Sequence, residues 1–208
     1  MTNGDTPRQG VVLVFAKRPV LGQVKTRLAK TMGAKASCFV YSELLSRTIS
    51  EISKVDNIQP WIVVSKQDDI PWFERVFKPN GWKVSFQAEG DIGQRMLHSF
   101  ERHLGANTSV ILVGSDVADF SHRDIEVGFS LLRDDGVSVI GPSTDGGYWM
   151  IGLNTLLPNI FEGIPWSSPS VFKQTIKKIR KVGSEPRILP IRTDIDEVED
   201  LLTLLLAS

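Results

Sequence analysis

Four cations stand within eleven residues, at Lys17, Arg18, Lys25 and Arg27, along the stretch Lys17-Arg18-Pro19-Val20-Leu21-Gly22-Gln23-Val24-Lys25-Thr26-Arg27-Leu28. Gly22 permits a tight turn there. A helix starting just beyond it would add free N–H groups and the positive end of its dipole. Lys25 and Arg27 could then hold phosphate oxygens, the arginine through paired contacts of fixed geometry. The same run also suits a solvated loop, because charge runs usually face water. Its spacing fits neither a Walker loop nor a dinucleotide fingerprint.

Two acidic loops complete the chemistry. In Val113-Gly114-Ser115-Asp116-Val117-Ala118-Asp119-Phe120, Asp116 directly follows an apolar run, and Gly114 leaves room for a ligand beside it. Mg²⁺ or Mn²⁺ commonly takes one or two such carboxylates and fills its other positions with water and phosphate oxygens. Asp119 or Ser121 reads instead as the cap of a following helix. In Gly141-Pro142-Ser143-Thr144-Asp145-Gly146-Gly147-Tyr148-Trp149 the Asp-Gly-Gly run signals a hairpin turn. Two glycines beside a carboxylate also allow close approach of a ligand, so Asp145 is the candidate general base or partner of an acceptor hydroxyl. Tyr148 and Trp149 suit either a sugar or base wall or the core. Ser168-Pro169 reads as a helix start, with Trp166 a candidate acceptor-pocket wall. Asp196 and Glu199 are spaced as an acidic capping box, which spacing alone favours over a metal contact for Asp196. His98, His103 and His122 have no metal-ligand spacing and read as surface residues.

Buried strands must hold these loops. Apolar, β-branched runs at 11–15, 61–64, 110–113 and 137–140 suit a parallel sheet covered on both faces. Two more strands are expected at 148–153, in mixed direction, and at 188–191. Cys38, Tyr41, Leu45, Thr48 and Ile52 form one helical stripe, and Ile92, Met96, Phe100 and Leu104 another. Asp91 with Gln94 reads as a capping box opening the second helix, and 196–206 as a closing helix. The expected fold is a three-layer α/β/α sandwich with a mostly parallel central sheet, one domain over 11–208 after a flexible tail at 1–10. In such folds ligands sit beyond the carboxyl ends of the strands.

With 208 residues, 41% hydrophobic, and 24 basic against 24 acidic side chains, the chain has no global field to draw nucleic acid or membrane. One cysteine excludes a disulfide framework. The polar first ten residues and the short run 11–15 match neither a leader nor a span, so a cytoplasmic protein is expected, as monomer or homodimer.

The blocks Phe15-Ala16-Lys17-x-Pro19-x-x-Gly22-x-Val24-Lys25-Thr26-Arg27-Leu28, Gly90-Asp91-Ile92-Gly93-x-Arg95-Met96, Gly114-x-Asp116, Gly141-Pro142-x-x-Asp145-Gly146-Gly147-Tyr148-x-x-Ile151-Gly152-Leu153 and Trp166-Ser167 occur in this order. Together they resemble the bacterial glycosyltransferase-like family of the nucleotide-diphospho-sugar transferase superfamily. That superfamily has the glycosyltransferase-A type fold and includes molybdenum-cofactor and phospholactate guanylyltransferases. The resemblance implies that Lys17, Lys25 and Arg27 hold donor phosphates and that Gly90-Asp91 lies near the donor base. It further implies Asp116 as the Mg²⁺ or Mn²⁺ ligand, with Asp196 joining it, and Asp145, Gly146 and Gly147 at the acceptor or sugar. Val117-Ala118 replaces the family's Cys-Pro, Glu197 a threonine, and Ser168 a threonine.

The implied activity is sugar transfer from a nucleotide donor to a small-molecule acceptor, with Lys25 and Asp145 in catalytic roles. The alternative is nucleotidyl transfer from a nucleoside triphosphate to a phosphorylated small molecule, with pyrophosphate released. A non-catalytic nucleotide-binding module would have no need of the three aspartates.

Overall fold

A computed structural model describes residues 9–134 and 136–206. Residues 1–8 of the expected tail lie outside the described residues, and Gln9 and Gly10 already belong to the first strand.

Seven strands form one sheet: β1 (Gln9–Ala16), β2 (Ile58–Val64), β3 (Lys83–Phe86), β4 (Thr108–Gly114), β5 (Val137–Pro142), β6 (Tyr148–Leu153) and β7 (Glu185–Ile188). Their order is β3-β2-β1-β4-β6-β5-β7. The β1–β2, β1–β4, β2–β3 and β5–β7 pairs are parallel, and β6 runs antiparallel between β4 and β5. The expected mixed-direction strand is therefore present, as one arm of a hairpin.

Helices α1 (Thr26–Ile52), α2 (Ile70–Phe77), α3 (Ile92–His103), α4 (His122–Leu131), α5 (Val171–Lys181) and α6 (Val198–Leu206) complete the fold. Alternation along β1 divides the core. Val12 and Val14 pack with Tyr41, Leu45 and Ile52 of α1, Phe73 of α2 and Ile125 of α4. Val11 and Leu13 face Met96 and Phe100 of α3 and Ile179 of α5. Each fully buried Leu or Ile is worth about 1.5–3 kcal/mol relative to exposure, so both helical layers are needed to cover the sheet. The chain is the expected three-layer α/β/α sandwich.

Four details differ from the sequence reading. The last strand spans Glu185–Ile188 rather than 188–191; beyond it the chain keeps to β5 only through Leu189 N–H to Ile140 C=O at 2.9 Å and Arg192 N–H to Pro142 C=O at 3.1 Å. The edge strand β3, of four residues, and helix α2, of eight, were not expected, being too short for a periodic pattern to stand out. Ser170, not Ser168, precedes the first residue of α5. His122 is half-buried, with its backbone N–H and ring Nδ1 at 2.9 and 3.1 Å from the Glu51 carboxylate. The capping box at Asp91 and Gln94 is present in both directions, at 2.9 Å each.

β1 is followed on one side by β2 and β3, and the chain then returns to its other side as β4. The carboxyl ends of β1 and β4 are thus the switch in strand order, where the cationic loop and the Asp116 loop meet.

Candidate functional site

Beyond β1 the chain turns at Gly22 (φ 74°), where Gln23 N–H donates to Val20 C=O at 3.0 Å. Lys25 then adopts φ 45°, ψ 50° immediately before α1. This left-handed geometry is unfavourable for a lysine and recurs at functional sites. It directs the ammonium inward: the side chain is 5% exposed, and Nζ lies 3.0 Å from Asp116 Oδ2 and 2.8 Å from Asp196 Oδ1. Burial works against its charge, but the two carboxylates outweigh burial and hold Lys25 above the ordinary lysine range. Arg27, exposed at the rim, approaches the other Asp196 oxygen at 3.5 Å.

Asp196 reaches this position because the segment before α6 crosses the sheet ends. Ile195 N–H donates to Asp116 C=O at 3.1 Å, and Ala118 N–H to Thr193 C=O at 3.2 Å. The expected Asp196–Glu199 capping box is absent. Asp200 instead accepts the N–H groups of Asp196 and Glu197, at 2.9 and 2.7 Å, which leaves the Asp196 carboxylate for Lys25. Asp119 likewise caps no helix; its carboxylate accepts Thr193 N–H at 3.1 Å, and Ser121 with Asp124 opens α4.

Tyr41 was legible only as a member of a helical stripe. Its hydroxyl accepts Lys17 N–H at 2.8 Å and lies 3.0 Å from Ser115 Oγ, joining the ends of β1 and β4. Burial pushes its phenol up from the ordinary range.

Around this core lie two adjoining clefts. The first, of about 500 Å³, takes in Lys17, Lys25, Arg27, Tyr41, Asp116 and Asp196, and is closed opposite by Gln87, Ile92 and Arg95. Gly90 and Asp91 do not line it. Gly90 C=O accepts Arg95 Nε at 2.9 Å and Asp91 caps α3, so this pair sets the position of Arg95. Gly22 also lies outside the cleft, as a turn residue. Arg18 points away, 4.0 Å from Asp69 and over the Trp72 ring. The cationic loop therefore presents less positive charge to the cleft than its composition suggests.

The second cleft, of about 410 Å³, shares Phe15, Ile92, Gly114 and Asp116 with the first and adds Asp145, Gly147, Tyr148, Trp166 and Asp194. The β5–β6 hairpin is both turn and wall: Asp145 Oδ1 accepts Gly147 N–H at 2.7 Å, leaving Oδ2 with no hydrogen-bond partner among the described residues. Gly146 (φ 89°) does not line the cleft. A Cβ there would stand 2.3 Å from Pro169 C=O, so this glycine lets the hairpin seat against the start of α5. Tyr148 and Trp166 meet edge to face at 6.4 Å. Trp149 is core, stacked on Phe120, with its indole N–H donating to Pro190 C=O at 3.3 Å.

Asp194, not expected at the acceptor side, accepts a hydrogen bond from Ser143 Oγ. Burial pushes its carboxyl up to about 6; the Ser143 hydroxyl opposes this, and Asp145 and Asp116 add to it. In the sequence it is marked only by its place in Asp194-Ile195-Asp196, ahead of the last helix.

Asp116 and Asp196 are 38% and 44% exposed, and each keeps one oxygen clear of Lys25 Nζ. No group of three His, Cys, Asp or Glu side chains able to hold a metal occurs among the described residues. The point where the two carboxylates converge is held by the Lys25 ammonium, so a hard cation would use their outer oxygens and take its remaining oxygens from water and ligand.

This fold, with its switch-point clefts, is that of the nucleotide-diphospho-sugar transferases. The chain belongs to a bacterial family whose model, "Uncharacterized protein conserved in bacteria (DUF2064)", matches residues 48–168. Asp116, Asp145 and Trp166 lie inside that match, while Lys25 and Asp196 lie outside it. Among solved structures, a Desulfovibrio desulfuricans G20 protein described as a candidate nucleotide-diphospho-sugar transferase is similar at 28% identity and TM-score 0.86, over 95% of this chain and 86% of that one. The 4-diphosphocytidyl-2C-methyl-D-erythritol synthase of Anaerococcus prevotii shares the fold at 11% identity and TM-score 0.63, over 97% of each chain. Glucosyl-3-phosphoglycerate synthase of Mycobacterium tuberculosis, solved with Mn²⁺ and uridine diphosphate, does so at 12% identity and TM-score 0.56, over 96% of this chain and 76% of that one. No curated protein matches the chain significantly. No described helix is long and apolar enough to cross a membrane.

Proposed function

We propose that this protein transfers a sugar from a nucleoside-diphosphate donor to a hydroxyl-bearing acceptor, with Mg²⁺ or Mn²⁺. One observation carries the reading: two clefts, one cationic and one aromatic and acidic, meet at Asp116.

The donor diphosphate lies in the first cleft, with Lys25 on its bridging or β-phosphate oxygens and Lys17 and Arg27 at the rim. Arg95 and Gln87 close the nucleoside side. Asp116 and Asp196 would hold the metal, which supplies a Lewis-acid contact to the departing diphosphate when bound. Lys25 adds a fixed cation in a water-poor setting, where charge that develops on the leaving oxygen is stabilised most. Because its ammonium is already oriented by two carboxylates, little reorganisation accompanies reaction.

The acceptor lies in the second cleft, its hydroxyl presented toward Asp116 across the shared wall. Asp145, through its unpaired oxygen, orients that hydroxyl or takes its proton. Tyr148 and Trp166 supply ring faces and edges for a sugar-like body. Gly147 keeps the wall low beside them. Nucleotidyl transfer would place a substrate phosphate in this second cleft, which has no lysine, arginine or histidine in its lining among the described residues. That lining favours sugar transfer.

A turnover screen of nucleotide sugars and nucleoside triphosphates with each metal tests the reading. Nucleoside diphosphate should be released from a nucleotide sugar and abolished in Lys25→Ala and Asp116→Ala. Pyrophosphate release from a triphosphate would sink sugar transfer in favour of nucleotidyl transfer.

A further inference from the structure

The second cleft is unusual in the balance of its lining. Asp145, Asp194 and Asp116 all face it, with no basic side chain among its walls in the described residues. Asp116 is compensated from the donor side by Lys25 at 3.0 Å. Among the described residues, Asp194 is paired with the neutral Ser143 hydroxyl and its own backbone N–H, and Asp145 with the Gly147 N–H. The nearest arginine on the same segment, Arg192, is turned the other way, its guanidinium 2.9 Å from Asp124 and 3.9 Å from Asp119. The acidic side of the cleft therefore awaits positive charge from outside the protein. Across from it stand Tyr148 and Trp166, in edge-to-face contact. Aromatic faces attract an ammonium group, and carboxylates attract it more strongly once water is displaced. An anionic group beside Asp145 and Asp194 would meet like charge, and the Lys25 ammonium on the far side of Asp116 is already engaged by Asp116 and Asp196.

Building on the sugar-transfer reading, we infer that the acceptor is an amine-bearing polyhydroxyl compound and that phosphorylated acceptors are excluded. The hydroxyls suit the hydrogen-bonding rim at Asp145 and Ser143. The amine suits the uncompensated carboxylates against the aromatic wall. A donor diphosphate in the first cleft would carry its own negative charge and so would not reverse this preference.

The test compares three probes of one shape: glucosamine, glucose and glucose 6-phosphate. Each is titrated into the whole protein at about 0.15 M salt, where exposed charges are screened beyond roughly 8 Å but contacts inside a cleft are not. Binding is read as the part of the tryptophan fluorescence change that disappears in Trp166→Phe, which restricts the signal to this cleft. Glucosamine should bind tightest and glucose 6-phosphate about tenfold more weakly or worse, as like-charge contact requires. Asp145→Asn keeps an oxygen for Gly147 N–H, so the turn survives, and should reduce the glucosamine preference at least about threefold through loss of one charge. Equal affinities, tighter binding of the phosphate, tighter binding of glucose than glucosamine, or no binding of any probe would each overturn the inference. These titrations need no nucleotide, so failure of the donor screen and failure of the acceptor assignment are told apart.

Discussion

Lys25 combines three features that rarely coincide in a surface lysine: left-handed backbone geometry, a side chain 5% exposed, and two carboxylates within 3.0 Å. The backbone strain is sustained because the ammonium gains two charge-assisted hydrogen bonds. Lys25→Met keeps much of the packing and removes the charge. Turnover of the nucleotide donor should fall by about 10²–10³, the usual loss when a fixed contact to developing charge is removed. Stability should fall by only about 1–2 kcal/mol, because the stranded Asp116 and Asp196 carboxylates still reach water. Steady-state kinetics and urea unfolding on the same preparations check both numbers, and a large stability loss with intact turnover would reassign Lys25 to structure.

At the level of elements, the acceptor cleft depends on how the β5–β6 hairpin sits against the start of α5. Gly146 makes that possible through a positive φ and through contact with Pro169, and its C=O accepts Phe172 N–H at 2.9 Å. Gly146→Ala would bring Cβ to 2.3 Å from a backbone oxygen, which a flexible neighbour cannot relieve. The expected cost is about 2–4 kcal/mol, from strain together with overpacking. Acceptor KM should rise with donor affinity unchanged, because the first cleft is built from other elements. Thermal unfolding and nucleotide titration of the variant separate the two effects; equal loss of donor affinity would mean that the clefts are not independent.

The whole molecule is poised against acid by groups with opposite signs. The Lys54 ammonium lowers the Glu51 carboxyl, burial opposes it, and the His122 N–H groups lower it further, to about 2 from 4.5. Its folded value lies below its unfolded value, so its stabilisation is present above pH 4.5 and is lost as pH falls toward about 2. Asp194 is raised from 3.8 to about 6, so its contribution is full below pH 3.8 and is lost as pH rises through about 6. Glu51→Gln should therefore flatten the stability decline between pH 4.5 and 2 by roughly 1–2 kcal/mol after solvent screening, since the Glu51 contact ties α1 to the start of α4. Asp194→Asn should flatten the opposite slope between pH 3.8 and 6. Chemical unfolding across this range checks both slopes, and unchanged slopes would show that neither carboxyl is linked to folding.

Much of this was legible in the amino-acid sequence. The β-branched runs specify strands because only a pleated, doubly covered sheet buries such side chains on both faces, and the Asp91–Gln94 cap is a local device complete within four residues. The positions of Lys25, Asp116 and Asp145 beyond strand ends followed from the same pattern. Tertiary structure decided the rest. Past β7 the chain crosses to the Asp116 loop, with Ile195 N–H bonded to Asp116 C=O, which brings Asp196 to the first cleft and Asp194 to the second. Asp200 took the capping role that spacing had offered to Asp196 and Glu199. Arg18 turned to Trp72, thinning the cationic loop that had looked densest. Local hydrogen bonds and side-chain periodicity act over a few residues and can be read along the chain. The meeting of Lys25 with a carboxylate 171 positions away depends on strand order and on which competing cap wins, and neither is encoded within any short window of sequence.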